Sequence, residues 1–91
     1  MVCDCCGRRK KLFESFAEVQ YEAETLHFCV ECNDIAYKVR DDFTEKNKEN
    51  LDRHMKDWET RSKKPSKPFL KWKKEFLFQL EQKNNQPFKP H

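Results

Sequence analysis

Two Cys-x-x-Cys pairs constrain this chain more than any other feature of its sequence. The first pair is Cys3 and Cys6, and the second pair, Cys29 and Cys32, follows after 22 intervening residues. Two thiolates from each of two tight turns supply the four soft ligands that Zn²⁺ prefers in a tetrahedral site. The sequence therefore predicts one structural zinc ion around which the chain is organised.

The extra cysteine leaves the ligand set with alternatives. Cys5 lies inside the first pair, so a Cys3/Cys5 register competes with Cys3/Cys6, which keeps the two-residue spacing. His27 precedes Cys29 by two residues and is a further alternative ligand, although strand alternation points it away from the metal. No basic segment followed by an apolar run begins the sequence, so we expect a cytoplasmic location and metal-binding thiols rather than disulfides.

The composition explains why such a chain needs a metal. Hydrophobic residues make up 36% of the sequence and charged residues 38%, with a single glycine. A core this lean rarely supplies more than about 3–5 kcal/mol by itself. The composition excludes a large catalytic core, a glycine-rich phosphate loop and a membrane-spanning segment. We also expect no enzymatic activity, because a four-thiolate zinc shell leaves no open coordination position.

Hydrophobic periodicity predicts a β-hairpin between the cysteine pairs. Ala17, Val19 and Tyr21 alternate with polar residues, which is the pattern of a half-buried strand whose apolar face packs inward. The alternation returns at residues 26–28, so we expect the chain to turn near residues 22–25. A cysteine turn, a hairpin and a helix start would then meet at the metal.

A helical pattern begins at Val30 and meets no glycine or proline before Pro65. Its apolar positions line one stripe, namely Ile35, Val39, Phe43, Leu51, Met55 and Trp58. A single helix over residues 30–62 would be about 50 Å long at roughly 1.5 Å per residue. The residues before it are too few to cover a helix of that length. We therefore expect the polar stretch 44–50 to divide it into two helices.

Lysines and prolines at residues 63–68 predict a break, after which another amphipathic helix begins. The apolar stripe of this helix comprises Phe69, Trp72, Phe76, Leu77 and Leu80. Two interpretations of the stripe are open: it folds back on the long helix and brings Trp72 near Trp58, or it stays exposed and binds a partner. Asn84 and Asn85 are expected to end the helix.

These elements together predict a small α+β fold. A treble-clef zinc finger, made of a knuckle, a β-hairpin and a helix, is followed by a long helix and a C-terminal amphipathic helix that can close a helical hairpin. The predicted units are a zinc-binding domain at residues 1–43, a helical extension at 44–83 with a break at 63–68, and a flexible tail at 84–91.

A family resemblance is carried by two segments, Cys3-x-x-Cys6-Gly7-Arg8 and His27-Phe28-Cys29-Val30-Glu31-Cys32-Asn33-Asp34-Ile35. They resemble the zinc-binding domain at the front of the bacterial unfoldase ClpX, over about residues 3–40. The resemblance implies a four-cysteine zinc site at Cys3, Cys6, Cys29 and Cys32, a protein-recognition role and a tendency to form a homodimer. The chain differs from that family in having Cys5, a longer hairpin and no ATPase after the finger.

Two hypotheses for function follow from charge and aromatic content. Because eight phenylalanines and two tryptophans exceed what a small core requires, the first is a regulatory protein that docks on a larger protein through the aromatic stripe. An adaptor or inhibitor of a bacterial machine such as RNA polymerase or a nuclease, of phage origin, would fit its size. No membrane partner is expected.

The alternative hypothesis is a nucleic-acid-binding zinc finger. Residues 1–33 carry four basic and six acidic groups, whereas residues 63–91 carry eight lysines against two glutamates. The candidate contacts lie in the basic 63–74 segment and in the cluster at residues 8–11, for which a solvated turn is the competing interpretation. These candidates are Arg8, Arg9, Lys10, Lys11, Lys71 and Lys74.

Overall fold

The chain forms α and β elements in the predicted order. The computed structural model describes the backbone of residues 1–88 and the side chains of residues 1–83. In this part of the chain the elements are the strands β1 (Ala17–Tyr21) and β2 (Glu24–Phe28) and the helices α1 (Val30–Glu45), α2 (Lys48–Arg61) and α3 (Lys67–Phe88). Among these described residues, no helix has the length and apolar character that crossing a membrane requires.

The β-hairpin forms where the alternation predicts it. Its antiparallel strands pair in register from Ala17 opposite Phe28, and residues 22–23 make the turn. Glu22 has a left-handed φ of 55°, a conformation that glycine or asparagine adopts more readily. The predicted inward face is confirmed, because Ala17, Val19 and Tyr21 are partly buried against the core.

The long helical stretch divides at residues 46–47, inside the predicted hinge. Lys46 closes α1 with a left-handed φ of 57° and donates its backbone N–H to the carbonyl of Asp42. Asn47 begins α2, because its side-chain oxygen accepts a hydrogen bond from the Asn50 N–H at 3.1 Å. The two helices pack against each other.

Helix α3 begins within the predicted break and runs past its predicted end. The Ser66 hydroxyl accepts a hydrogen bond from the Phe69 N–H at 3.2 Å and caps the first turn. The helix continues to Phe88, so the end predicted at residues 84–85 is corrected, whereas the predicted flexibility of residues 84–91 stays a prediction. Asparagine costs roughly 0.7 kcal/mol or less in a helix, which is too little to stop it. Residues 89–91 of the predicted tail lie outside the described residues.

Aromatic rings of β2, α2 and α3 form a large part of the core, which also contains Ile35 and Val39 of α1. Phe69 is fully buried, and its ring centroid lies 5.7 Å from that of Phe28 and 6.2 Å from that of Trp58. Trp72 lies 6.2 Å from Trp58, and α3 also packs against α1, which confirms that the last helix folds back on the long helical stretch. Because Phe28 also contacts Trp72, the predicted units at residues 1–43 and 44–83 share a core in the described part of the chain.

Candidate metal centre

The first cysteine pair lies on a tight turn. Its backbone is closed by the Gly7 N–H, which donates to the Cys3 carbonyl at 2.9 Å. Gly7 has a φ of 80°, and a Cβ at this position would lie 2.7 Å from the Cβ of Lys64 in the linker between α2 and α3. Glycine therefore meets two requirements here, a positive φ and the close approach of the linker. This turn directs Cys3 and Cys6 toward the second pair.

The second pair lies where β2 gives way to α1. Cys29 precedes the helix with an extended backbone, and Cys32 lies in the first turn. The N-terminal end of a helix favours negative charge and therefore favours thiolate over thiol. The Cys29 N–H also donates to the Sγ of Cys3 at 3.4 Å, which links the two pairs.

The structure brings the four predicted cysteines together. The sulfur atoms of Cys3, Cys6, Cys29 and Cys32 all lie within 4.8 Å of one another. A tetrahedral zinc ion with Zn–S bonds of about 2.3 Å places its sulfurs about 3.8 Å apart. The Sγ atoms of Cys6 and Cys29 are already 3.9 Å apart. The donor set and its spacing thus fit a structural metal ion such as zinc.

Hydrogen bonds among the thiols distribute their protons unevenly. A hydrogen bond with Cys32 lowers the pKa of Cys3 to about 4, although burial acts in the opposite direction. The same hydrogen bond raises the pKa of Cys32, and burial raises the pKa of Cys29 to about 11. A metal ion must displace the protons that remain, so its affinity decreases as the pH falls.

Cys5 lies outside this sulfur group and is fully buried. Its Sγ lies 3.2 Å from the Ser62 hydroxyl at the end of α2. Hydrogen bonds with Cys32 and Ser62 lower the pKa of Cys5 to about 7. The indole N–H of Trp58 also contributes to the lowered pKa of Cys5, but this buried N–H has no hydrogen-bond partner among the described residues. Cys5 therefore joins the sulfur group to the helical extension.

The two histidines within the described residues, His27 and His54, contact carboxylates rather than the sulfur group. The backbone N–H of His27 donates to the Asp4 carboxylate at 2.7 Å, and its Nε2 lies 3.7 Å from Glu18. His54 on α2 contacts the buried Asp42 carboxylate of α1 at 2.5 Å. His27 thus fastens the hairpin to the cysteine turn, and the sulfur group contains no histidine from the described part of the chain.

The aromatic stripe of α3 faces mainly the protein's own core. Phe69 and Leu80 are buried, which corrects their assignment to a partner-binding surface. For Phe69 the physical reason is that Phe28 of β2 and Trp58 of α2 pack against its ring. Trp72, Phe76 and Leu77 are partly buried, and the rings of Trp72 and Phe76 stack with centroids 4.8 Å apart.

A cleft of about 180 Å³ opens between the hairpin, α1 and α3. Its walls are formed by Val19, Phe28, Asn33, Ala36, Tyr37, Arg40, Trp72 and Phe76. Tyr37 is 48% exposed, and the Arg40 guanidinium lies 4.6 Å from the centroid of its ring. The three-residue spacing of Tyr37 and Arg40 on α1 is the sequence signal for this pair, but it is equally common on ordinary surface helices.

The predicted nucleic-acid contacts differ in how available they are. Arg8 forms two hydrogen bonds with Glu14, and this contact lowers the pKa of the Glu14 carboxyl to about 2. Lys10 is half-buried, whereas Arg9, Lys11, Lys71 and Lys74 are exposed. The buried ring of Phe69 cannot stack on a base. The cluster at residues 8–11 thus belongs to a structured turn.

The fold and the sulfur group define a small α+β protein with a candidate four-cysteine metal site. No family model matches the chain, and no curated protein or solved structure is significantly similar to it. The likeness to the ClpX zinc-binding domain therefore rests on the cysteine segments alone, and the functional argument rests on the metal centre and the cleft.

Proposed function

We propose that the protein is a non-enzymatic, zinc-binding regulator that docks on a larger protein as an adaptor or inhibitor. The four thiols would hold one structural Zn²⁺, leaving no coordination position for water or substrate. Such a site contributes on the order of 10 kcal/mol to folding in small domains. The order of cysteine turn, hairpin and helix supports a treble-clef assignment.

The cleft between the hairpin, α1 and α3 is the observation that carries the docking proposal. Its volume of about 180 Å³ falls below the roughly 300 Å³ at which small-molecule sites begin, yet it accommodates one aromatic or branched side chain. Val19, Phe28 and Trp72 give it apolar walls. The metal centre fixes both β2 and α1, so the cleft is preformed. We propose that one apolar residue of the partner protein inserts into this cleft as an anchor.

Arg40 favours a negative charge on the partner protein next to the anchor residue. Its guanidinium lies over the Tyr37 ring and 3.6 Å from the carboxylate of Asp41, at an exposed position on α1. An exposed pair of this kind contributes little to stability, so Arg40 is free to exchange Asp41 for a partner carboxylate. The partner segment therefore carries an acidic side chain next to its apolar anchor.

A capture experiment with a matched control tests this proposal. Tyr37→Asp places a charge at the mouth of the cleft, and Thr60→Asp places the same charge on an exposed position of α2. We expect the zinc-loaded wild type and Thr60→Asp to capture the same protein and Tyr37→Asp to lose it. The captured protein, once purified, should bind Arg40→Glu at least about tenfold more weakly than wild type. Equal capture by all variants contradicts the proposal.

A DNA-binding assay tests the alternative that the protein binds nucleic acid. Phe69 is buried, and the Lys73 ammonium lies 4.9 Å from the Trp58 ring, so part of the 63–74 segment is engaged within the fold. Binding of single-stranded or duplex DNA at about 50 mM salt that weakens steeply with added salt would favour this alternative over protein docking.

A further inference from the structure

The turn between the first cysteine pair and β1 exposes two adjacent apolar side chains. Phe13 is 94% exposed and Leu12 is 82% exposed, more than any other large hydrophobic residue in the described part of the chain. A chain with so lean a core gains stability from each apolar side chain that it buries. Leaving two of them together in water indicates a use outside the fold.

Hydrogen bonds hold this turn in a fixed shape. The Lys11 N–H donates to the Glu14 carboxylate at 3.0 Å, and the Glu14 N–H donates to the Lys11 carbonyl at 3.2 Å. The Glu14 carboxylate also accepts two hydrogen bonds from Arg8. Leu12 and Phe13 therefore project from a turn that is held by hydrogen bonds. Because the turn is already ordered, little conformational entropy is lost when these side chains bind.

The charge around the turn is positive. Arg9, Lys10 and Lys11 directly precede Leu12, and the nearby Glu14 is neutralised by its ion pair with Arg8. Arg9 also pairs with Val2 in a β-bridge, which places the exposed Val2 beside the same cations. We call Leu12, Phe13 and the three preceding cations, residues 9–11, the apolar–basic tip.

We propose that the apolar–basic tip inserts into the interface of an anionic membrane. Leu12 and Phe13 enter the boundary between headgroups and acyl chains, while residues 9–11 contact the negatively charged headgroups. A convex tip with apolar ends and flanking cations suits a bilayer surface, which needs no complementary shape. The proposal departs from the sequence-based expectation of no membrane partner; interfacial contact requires no spanning segment. The proposal goes beyond the docking function, because the cleft takes no part in it.

Vesicle binding by the zinc-loaded full chain tests the proposal. The probes are vesicles of phosphatidylcholine alone and vesicles that contain about 30% phosphatidylserine, at about 0.1 M salt. We expect binding to the anionic vesicles only. The double variant Leu12→Ser/Phe13→Ser should reduce the partition coefficient at least about tenfold. Each of Arg9→Gln and Lys11→Gln should reduce it about fivefold.

Matched controls separate the tip from general apolar or cationic surface. Phe78→Ser removes an exposed phenylalanine from α3, and Lys48→Gln removes an exposed lysine from α2; both should bind vesicles like the wild type. Absence of binding to anionic vesicles, or equal binding by the double variant, overturns the proposal. If the double variant instead loses the captured partner protein while vesicle binding is absent, the tip is a protein interface. Tyr37→Asp should leave vesicle binding unchanged, so this proposal and the cleft proposal fail separately.

Discussion

Removing the Phe69 ring should destabilise the half that carries the sulfur group (residues 1–43) and the helical half (residues 44–83) together. The ring is fully buried between β2, α2 and α3 and contacts Phe28, Trp58 and Trp72 at centroid distances of 5.7, 6.2 and 5.9 Å. Because the ring contacts residues of both halves, its removal should lower the stability of both. We therefore expect Phe69→Ala to lower the free energy of unfolding of the whole protein.

The magnitude follows from burial and from ring contacts. Truncating a buried phenylalanine to alanine costs about 3–5 kcal/mol. Small domains have a total stability of about 5–15 kcal/mol, so Phe69→Ala removes a large share of it. Phe69→Leu keeps most of the volume but loses three aromatic contacts, and we expect it to cost about 1–2 kcal/mol.

Urea unfolding of the zinc-loaded protein measures these losses. Tryptophan fluorescence follows Trp58 and Trp72, and far-ultraviolet circular dichroism follows the helices. Phe78→Ala on the same helix is the control, because its ring is 60% exposed and its loss should change stability by less than about 0.5 kcal/mol.

Two results would refute the reasoning about the shared core. One is a loss below about 1 kcal/mol for Phe69→Ala, which is too small for a fully buried ring. The other is a biphasic transition in which the fluorescence of the helical half changes while the metal stays bound. Either result would mean that the two halves fold separately.

The remaining predictions concern the metal centre and its surroundings. Cys29→Ser should reduce the metal content from one zinc per chain to none and reduce the helical signal, as measured by metal analysis and circular dichroism. Cys5→Ala should keep one zinc per chain but lower the free energy of unfolding by about 1–2 kcal/mol, because it removes the buried contact with Ser62. The stabilising contribution of Glu14 is present above its ordinary pKa of 4.5 and is lost as the pH falls from there through about 2, so the stability difference between wild type and Glu14→Gln should disappear in that range.

Each of these predictions has a result that contradicts it. Zinc bound equally well without Cys29 would overturn the ligand assignment. Loss of zinc in Cys5→Ala would show that the first pair uses Cys5. A stability difference for Glu14→Gln that persists unchanged to pH of about 2 would show that the ion pair with Arg8 does not act through the depressed pKa.

Local patterns in the sequence predict the parts of the fold that depend on local rules. The spacing of Cys3, Cys6, Cys29 and Cys32 predicts the sulfur group because each pair forms within one short turn. The hinge at residues 46–47 is also local, since a left-handed residue followed by an asparagine cap ends one helix and begins the next. Such features need no knowledge of distant contacts.

The features that the sequence does not predict depend on residues far apart in the chain. The exposed or buried state of Phe69 is decided by β2, about forty residues earlier, and periodicity alone cannot choose between core and docking surface. The cleft likewise needs three elements to meet. The contact between the Cys5 sulfur and Ser62 joins residues far apart in the chain, so the sequence pattern does not predict it. The exposed Leu12 and Phe13 look in the sequence like ordinary core residues.

The linker at residues 62–66 lies over the cysteine turn and so affects access to the sulfur group. Ser66 donates its N–H to the Asp4 carbonyl at 2.9 Å, and Lys64 packs against Gly7. All four ligand cysteines precede this linker in the sequence, so none of them belongs to the segment that covers the turn. A chelator therefore reaches the sulfur group more readily from the side of the turn when the linker lifts, whereas Cys6 stays partly exposed with the linker in place. Retention of the metal is then governed by the rate of that opening as well as by the affinity of the thiolates.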